Sequence, residues 1–274
     1  MTQNEIMRKN AESAREELRL HPVMGRFWHR ITLILKGSTA RGYTDRYSDV
    51  DFVIFCDAPT KAEITRAYNE EKIQQREDGV FQPLYCCPGH YNLDLYDDLR
   101  RHFAERDMEQ IFEYSNITVM HKNDDTYEQI ISEGMKSLFS DPHSLVRRKY
   151  FDLCLYDNWM RQPLLRADKS AALLYCASVL RFACHLFFLL KKKAYPCDKW
   201  LFYYFRELDT PDGIKELILN YHSVSAHING LEADLELAEY PQYSQSQEIL
   251  ARIRETLKKE YGNERWIDQW YEFV

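Results

Sequence analysis

Asp49 and Asp51 bracket Val50 at the head of an apolar run, VDFVIF at residues 50–55. In an extended strand, residues two apart point to the same face, with Cα atoms about 7 Å apart. Two carboxylates held this way beside a buried run repel each other, and both are costly unless positive charge lies between them. A Mg²⁺ ion meets that need, because it takes oxygen ligands and is commonly held by one or two carboxylates plus substrate phosphates. Taken alone, Asp-x-Asp is equally the edge of a strand with two solvated acids. Upstream, with ten residues intervening before Asp49, a second apolar run, ITLILK at 31–36, ends in Gly37-Ser38. Glycine omits the side chain where a phosphate must approach the backbone, and serine adds a hydroxyl and an amide donor. Gly-Ser after a strand is common and by itself says little.

The two parts together are more specific. A strand, Gly-Ser, ten residues, then Asp-x-Asp opening another strand resembles the signature of the nucleotidyltransferase superfamily that includes DNA polymerase beta and the antibiotic nucleotidyltransferases. The segment GSTARGYTDRYSDVDF is especially similar to the GSxARGxxxxxSDxD form of bacterial stand-alone enzymes. The resemblance implies a third carboxylate on a neighbouring strand, and Asp94 in YNLDLYD at 91–97 is the candidate, sitting between Leu93 and Leu95. It would complete the metal site or take the proton from an acceptor hydroxyl. Asp97 and Asp98 lie at the strand's end, where helix capping accounts for them. The resemblance further implies two Mg²⁺ ions and a nucleoside triphosphate, ATP being the first choice. AMP would pass to a hydroxyl of a small acceptor of aminoglycoside or lincosamide type, and pyrophosphate would leave. Gly37 and Ser38 would hold the outer phosphates. Arg41 in the same loop, and Lys199 in the AYPCDKWL segment at 194–201, are candidates to add charge to the triphosphate; each is equally read as a solvated side chain. Trp200, Tyr203 and Tyr204 read as cleft lining or as core. Two alternatives stay open: a nucleotidyltransferase that modifies a protein or tRNA, and a nucleotide-binding protein that has lost turnover.

The elements that must position these residues follow from periodicity. Residues 3–19 have helical spacing, 31–36 and 50–55 read as buried strands, and 60–77 reads as a helix. An extended stretch begins at Gly79, 91–97 alternates as a strand, 99–112 is helical, and 117–121 is one more strand. Beyond about residue 125 the strand signals stop. Asp141-Pro142 starts a helix, a capping carboxylate before a first-turn proline, and Gln162-Pro163 is expected to break it. Asp168 caps an apolar helix through 190 that closes on Lys191, Lys192 and Lys193. Further helices are expected at about 198–208, 211–228, 244–261 and 263–272. The expected fold is therefore α+β. A catalytic domain over 1–125 has a small mixed or antiparallel sheet flanked by helices, and an all-α bundle covers 126–274.

Composition excludes several classes. With 45% hydrophobic and 29% charged residues the 274-residue chain has a globular make-up. Its 43 acidic against 36 basic residues give a net charge of −7, whereas a protein that grips nucleic acid shows a basic field. Stable nucleic-acid binding is not expected, and a cationic small acceptor suits the balance better. Seven cysteines are scattered without disulfide or zinc spacing, and Cys86-Cys87-Pro-Gly-His90 offers no second pair. There is no Walker loop and no nucleophile elbow. The N-terminal stretch lacks a signal peptide's apolar core, so a reducing cytoplasm is expected. Residues 171–190 are long and apolar enough to span a membrane. Arg181 sits at their middle, where a charge costs roughly 2.5–3.5 kcal/mol, so a buried helix is expected instead. The oligomeric state is not legible.

Overall fold

The computed structural model describes residues 1–72, 82–233 and 235–274 and divides into two compact units, Met1–Ser140 and Asp141–Val274. The expected helical segment 73–77 and the extended start at Gly79 lie outside the described residues.

In the first unit, α1 (Gln3–Leu20) and the short α2 (Met24–Phe27) lead into β1 (Thr32–Lys36), then α3 (Gly37–Arg41), β2 (Val50–Cys56) and α4 (Ala58–Glu70). After β3 (Gln82–Pro83) and β4 (Gly89–Leu95) come α5 (Tyr96–Glu105), α6 (Met108–Ser115), β5 (Thr118–His121) and α7 (Thr126–Leu138). The sheet is mixed, in the order β3-β4-β2-β1-β5. β1 runs antiparallel to β2 and β5, β3 antiparallel to β4, and β2 parallel to β4.

Period-two alternation sorts the strand residues onto two faces. Leu33, Leu35, Phe52, Ile54 and Tyr91 pack on one face with Ala11, Ala14 and Leu18 of α1 and Ile64 of α4. Ile34, Val53 and Phe55 pack on the other with Leu99 of α5, Tyr114 of α6, and Tyr127 and Ile130 of α7. Both faces are covered, which is why β2 reads as an unbroken apolar run rather than an alternating one.

The expected helix over 99–112 is two helices. Arg106 turns left-handed at φ 56° and Asp107 caps α6 by accepting from the Gln110 amide at 3.3 Å. Helix α7 was not foreseen. It starts just beyond residue 125 and belongs to the first unit, where its Tyr127 and Ile130 are buried.

The second unit is helical: α8 (Pro142–Leu165), α9 (Lys169–Leu190), α10 (Asp198–Glu207), α11 (Ile214–Ala226), α12 (Pro241–Tyr261) and α13 (Arg265–Asp268). The expected break at Gln162-Pro163 does not occur, and α8 continues through Pro163 to Leu165. A proline there forfeits only the bond to the carbonyl of Trp159, a residue 45% exposed, so water can serve that oxygen. Asp141 and Asp168 cap α8 and α9 by accepting from Ser144 and Ala171 amides. Among the described residues α9 is the one helix long and apolar enough to cross a membrane. It packs against α8, α10 and α11, and Arg181 pairs with Asp198 at 3.2 Å.

Candidate metal and phosphate site

The site lies where β2 and β4 begin and β1 ends, on the sheet face that carries Ile34, Val53 and Phe55. Alternation from Val53 places Asp51 and Asp49 on this face, and antiparallel pairing sets Lys36 opposite Asp51. Parallel pairing sets His90 opposite Asp51 on the other side. Gly89 makes that pairing possible, since a Cβ at this residue would lie 2.4 Å from the Val50 carbonyl oxygen.

Asp49, Asp51 and His90 each offer a ligand atom, and the three atoms lie within 4.8 Å of one another. His90 Nε2 is 3.0 Å from Asp51 Oδ1, and its Nδ1 is 3.7 Å from Asp49 Oδ2. The side chains are partly open to solvent: 45% for Asp49, 24% for Asp51 and 25% for His90, so an ion can enter. Burial, then the neighbouring Asp49 charge, holds the Asp51 carboxyl above the ordinary aspartate range. His90 and Lys36 pull the other way, and Glu113 adds to the upward push. The negative charge here is incompletely compensated by the protein's own cations, the condition a bound divalent ion relieves.

Gly37 closes the site from the β1 side. It has φ +73°, and a Cβ on it would stand 2.6 Å from Asp51 Oδ2. Only a residue without a side chain lets the strand end and the Asp51 carboxylate come this close. Ser38 Oγ donates to Ser48 Oγ at 3.3 Å, and Thr39 Oγ1 donates to the Asp49 carbonyl at 2.7 Å. Thr39 thus ties α3 to the first acid. Gly42 ends α3 in the left-handed conformation at φ 76°. Asp45 accepts from the Tyr47 amide at 2.8 Å, and Asn4 of α1 holds the Gly42 carbonyl and the Thr44 amide. Most of the GSTARGYTDRYSDVD segment therefore serves to fix the loop between Gly37 and Asp49.

Arg41 and Asp94 each have a partner outside this cluster. Arg41 is turned to Glu113 at 2.9 Å, with only 6% of its side chain exposed, and its guanidinium carbon stands 6.0 Å from the Phe112 ring centre. Asp94 has the right face but the wrong height. It pairs in register with Phe55, four residues or about 13 Å along β4 from His90, and accepts the Tyr114 hydroxyl at 3.1 Å. Lys199 belongs to α10 of the second unit, with its ammonium 5.3 Å from the Trp200 ring centre. Conversely, His90 and Lys36 were not foreseen as site residues. Their signal in the sequence is parity: Lys36 shares it with Ile34, and His90 with Asn92 and Asp94. Asn92, between the last two, is buried and its Oδ1 has no partner among the described residues.

Residues 19–88 match the family model described as a nucleotidyltransferase domain. The match contains Gly37, Ser38, Asp49 and Asp51 and ends two residues before His90. No curated protein matches the chain. Among solved structures, a nucleotidyltransferase-like protein from Exiguobacterium sibiricum 255-15 aligns over 91% of this chain and 91% of that one, at 13% identity and a TM-score of 0.43.

Proposed function

We propose that the chain, which carries a nucleotidyltransferase domain over residues 19–88, moves a nucleoside monophosphate, AMP from ATP, onto a hydroxyl of a small cationic acceptor. One observation carries the metal-dependent reading. Two acids converge with His90 at the head of β2, and Asp51 sits against Gly37, whose missing side chain leaves room for its carboxylate.

Asp49 and Asp51 would hold a divalent cation, Mg²⁺ in the resemblance, which when bound would supply positive charge for the triphosphate and lower the pKa of an attacking hydroxyl. The chain's own groups have separate tasks. Asp51 and Asp49 present oxygen donors from the start of the central strand, so the site is preorganised before substrate arrives. Lys36, paired in register with Asp51, brings positive charge to the side from which phosphates would approach. Gly37 and Ser38 offer backbone amides and a hydroxyl to the outer phosphates. Lys199 remains a proposed contributor from the helical unit. The net charge of −7 favours a cationic acceptor over a polyanion such as tRNA.

ATP binding by the full chain, with and without Mg²⁺, is the direct test. Tight binding should require the metal and should vanish in Asp49→Ala while the variant's thermal melt stays cooperative. Labelled ATP is then offered to aminoglycosides, lincosamides, tRNA and protein in parallel. Labelling of tRNA or protein with none of the small molecules would overturn the proposed acceptor class, and metal-independent ATP binding would overturn the mechanism.

A further inference from the structure

We propose that His90 is a nitrogen ligand to the cation that Asp49 and Asp51 hold, and that the site accordingly takes a first-row transition ion in preference to Mg²⁺. The inference rests on the proposed cation-dependent function and specifies the chemistry of that same site.

Three observations lead to it. First, the third member of the cluster is an imidazole rather than a carboxylate, and the acid read from the sequence, Asp94, is about 13 Å away along its strand. Second, the spacing suits shared coordination. Two ligand atoms each about 2.1 Å from one ion and at right angles to each other are about 3 Å apart, and His90 Nε2 lies 3.0 Å from Asp51 Oδ1. Third, the position of His90 is built. Gly89 admits close approach of β4 to β2, and register then fixes His90 beside Asp51 rather than leaving it on a loose loop.

The consequence for metal choice is chemical. Mg²⁺ prefers oxygen donors and an octahedral shell rich in water, whereas imidazole suits the transition ions and raises affinity along the series from Mn²⁺ upward. An imidazole in place of a third carboxylate also brings one carboxylate fewer to a place where Asp49 and Asp51 already lie close together.

Mn²⁺ added to the purified full-length protein is the probe, read by electron paramagnetic resonance. Bound Mn²⁺ should show coupling to a ¹⁴N nucleus, which changes to the ¹⁵N pattern when the protein is made with ¹⁵N-histidine. In His90→Gln the coupling should disappear, and Mn²⁺ affinity should fall by at least the roughly 10- to 100-fold that loss of an outer-shell partner costs. His90→Asp restores an oxygen donor and is expected to bind Mn²⁺ without nitrogen coupling and with a smaller preference for Mn²⁺ over Mg²⁺. Mn²⁺ bound to wild type without nitrogen coupling, or coupling that persists in His90→Asp, overturns this proposal alone. Wild type that binds no Mn²⁺, with or without ATP, overturns it together with the cation-dependent function. Circular dichroism on both variants separates lost ligation from lost folding, and the ¹⁵N result on wild type stands whether or not a variant folds.

Discussion

Asp51 in the sheet unit and Asp157 in the helical unit are both acids that burial holds above the ordinary aspartate range. Their surroundings differ. Asp157, on α8, is 2% exposed and satisfied on both oxygens: Ser246 Oγ donates to Oδ1 at 2.6 Å and Gln247 Nε2 to Oδ2 at 2.8 Å, both from α12. Arg161 and Arg254 add compensating charge. Asp51 is more open, has a second carboxylate as neighbour, and faces a glycine. A buried acid with its donors in place is a fastener between helices. A half-buried acid beside another acid, set against a glycine, is the arrangement on which the proposed cation site rests.

The largest expected effect follows from removing one charge at the open site. Asp51→Asn should lower nucleotide transfer by about 10³-fold, the equivalent of the several kcal/mol that metal-borne charge stabilisation supplies. Its thermal midpoint should stay level or rise, because a like-charge repulsion is relieved. A melt scan run beside the transfer assay reads both. Retained transfer would remove Asp51 from the site. The closed acid should behave in the opposite way. Asp157→Ala should leave ATP and metal binding intact and destabilise the protein by about 2–4 kcal/mol, since two donors lose a charged acceptor. Urea unfolding measures this, and an unchanged midpoint would show that the α8–α12 fastening contributes nothing.

The same contrast explains what could be read from the sequence. Asp49 and Asp51 were legible because their relation is local: parity on a single strand puts both on one face. Gly37-Ser38 was legible because it ends an apolar run abruptly. His90 was not, since its place beside Asp51 depends on parallel pairing of β2 and β4, and register between strands is not written in either strand alone. Asp94 drew attention through its leucine neighbours. Those neighbours give the face correctly but carry no information about height along the strand. In the sequence Arg41 reads as a loop charge, because the helical turn Gly37–Arg41, which swings it toward Glu113, has too few residues to show periodicity. The helical half was legible through caps, with Asp141 and Asp168 where expected, while Pro163 misled because a proline in the last turn of a helix forfeits little.

A third outcome concerns charge that the helical unit excludes. His185 on α9 is 3% exposed and stacked on Tyr195 at 3.6 Å between ring centres, and neither ring nitrogen has a partner among the described residues. Burial first, then Lys149 and Arg181, depress its pKa from 6.5 to about 3. A depressed folded-state pKa means that the unfolded chain takes the proton first. The stability His185 contributes is therefore complete above about pH 6.5 and drains as pH falls toward 3, by at most about 1.4 kcal/mol per pH unit for one proton. In His185→Phe, urea midpoints measured between pH 7 and pH 4 should decline less steeply than in wild type. Equal slopes would show that the imidazole already has access to water.

The smallest effect is the most informative about where the site ends. Asp94 shares the face of Asp51 and His90, but its carboxylate is engaged with the hydroxyl of Tyr114, whose ring stands edge-on to Phe55 at 5.4 Å and whose backbone carbonyl accepts from Tyr127. This is a cross-brace from β4 to α6 and α7. In Asp94→Asn an oxygen acceptor remains for Tyr114, so stability should change by less than about 1 kcal/mol. Metal and ATP affinity should hold within about twofold, because an isosteric change this far along the strand acts on the ion only through screened charge. If Asp94→Asn instead lost metal binding to the same degree as Asp51→Asn, the two residues would have to meet at one ion. That would require β4 to slide along β2 by four residues, carrying His90 out of the cluster. The measurement therefore decides between an oxygen-only site and one that contains an imidazole.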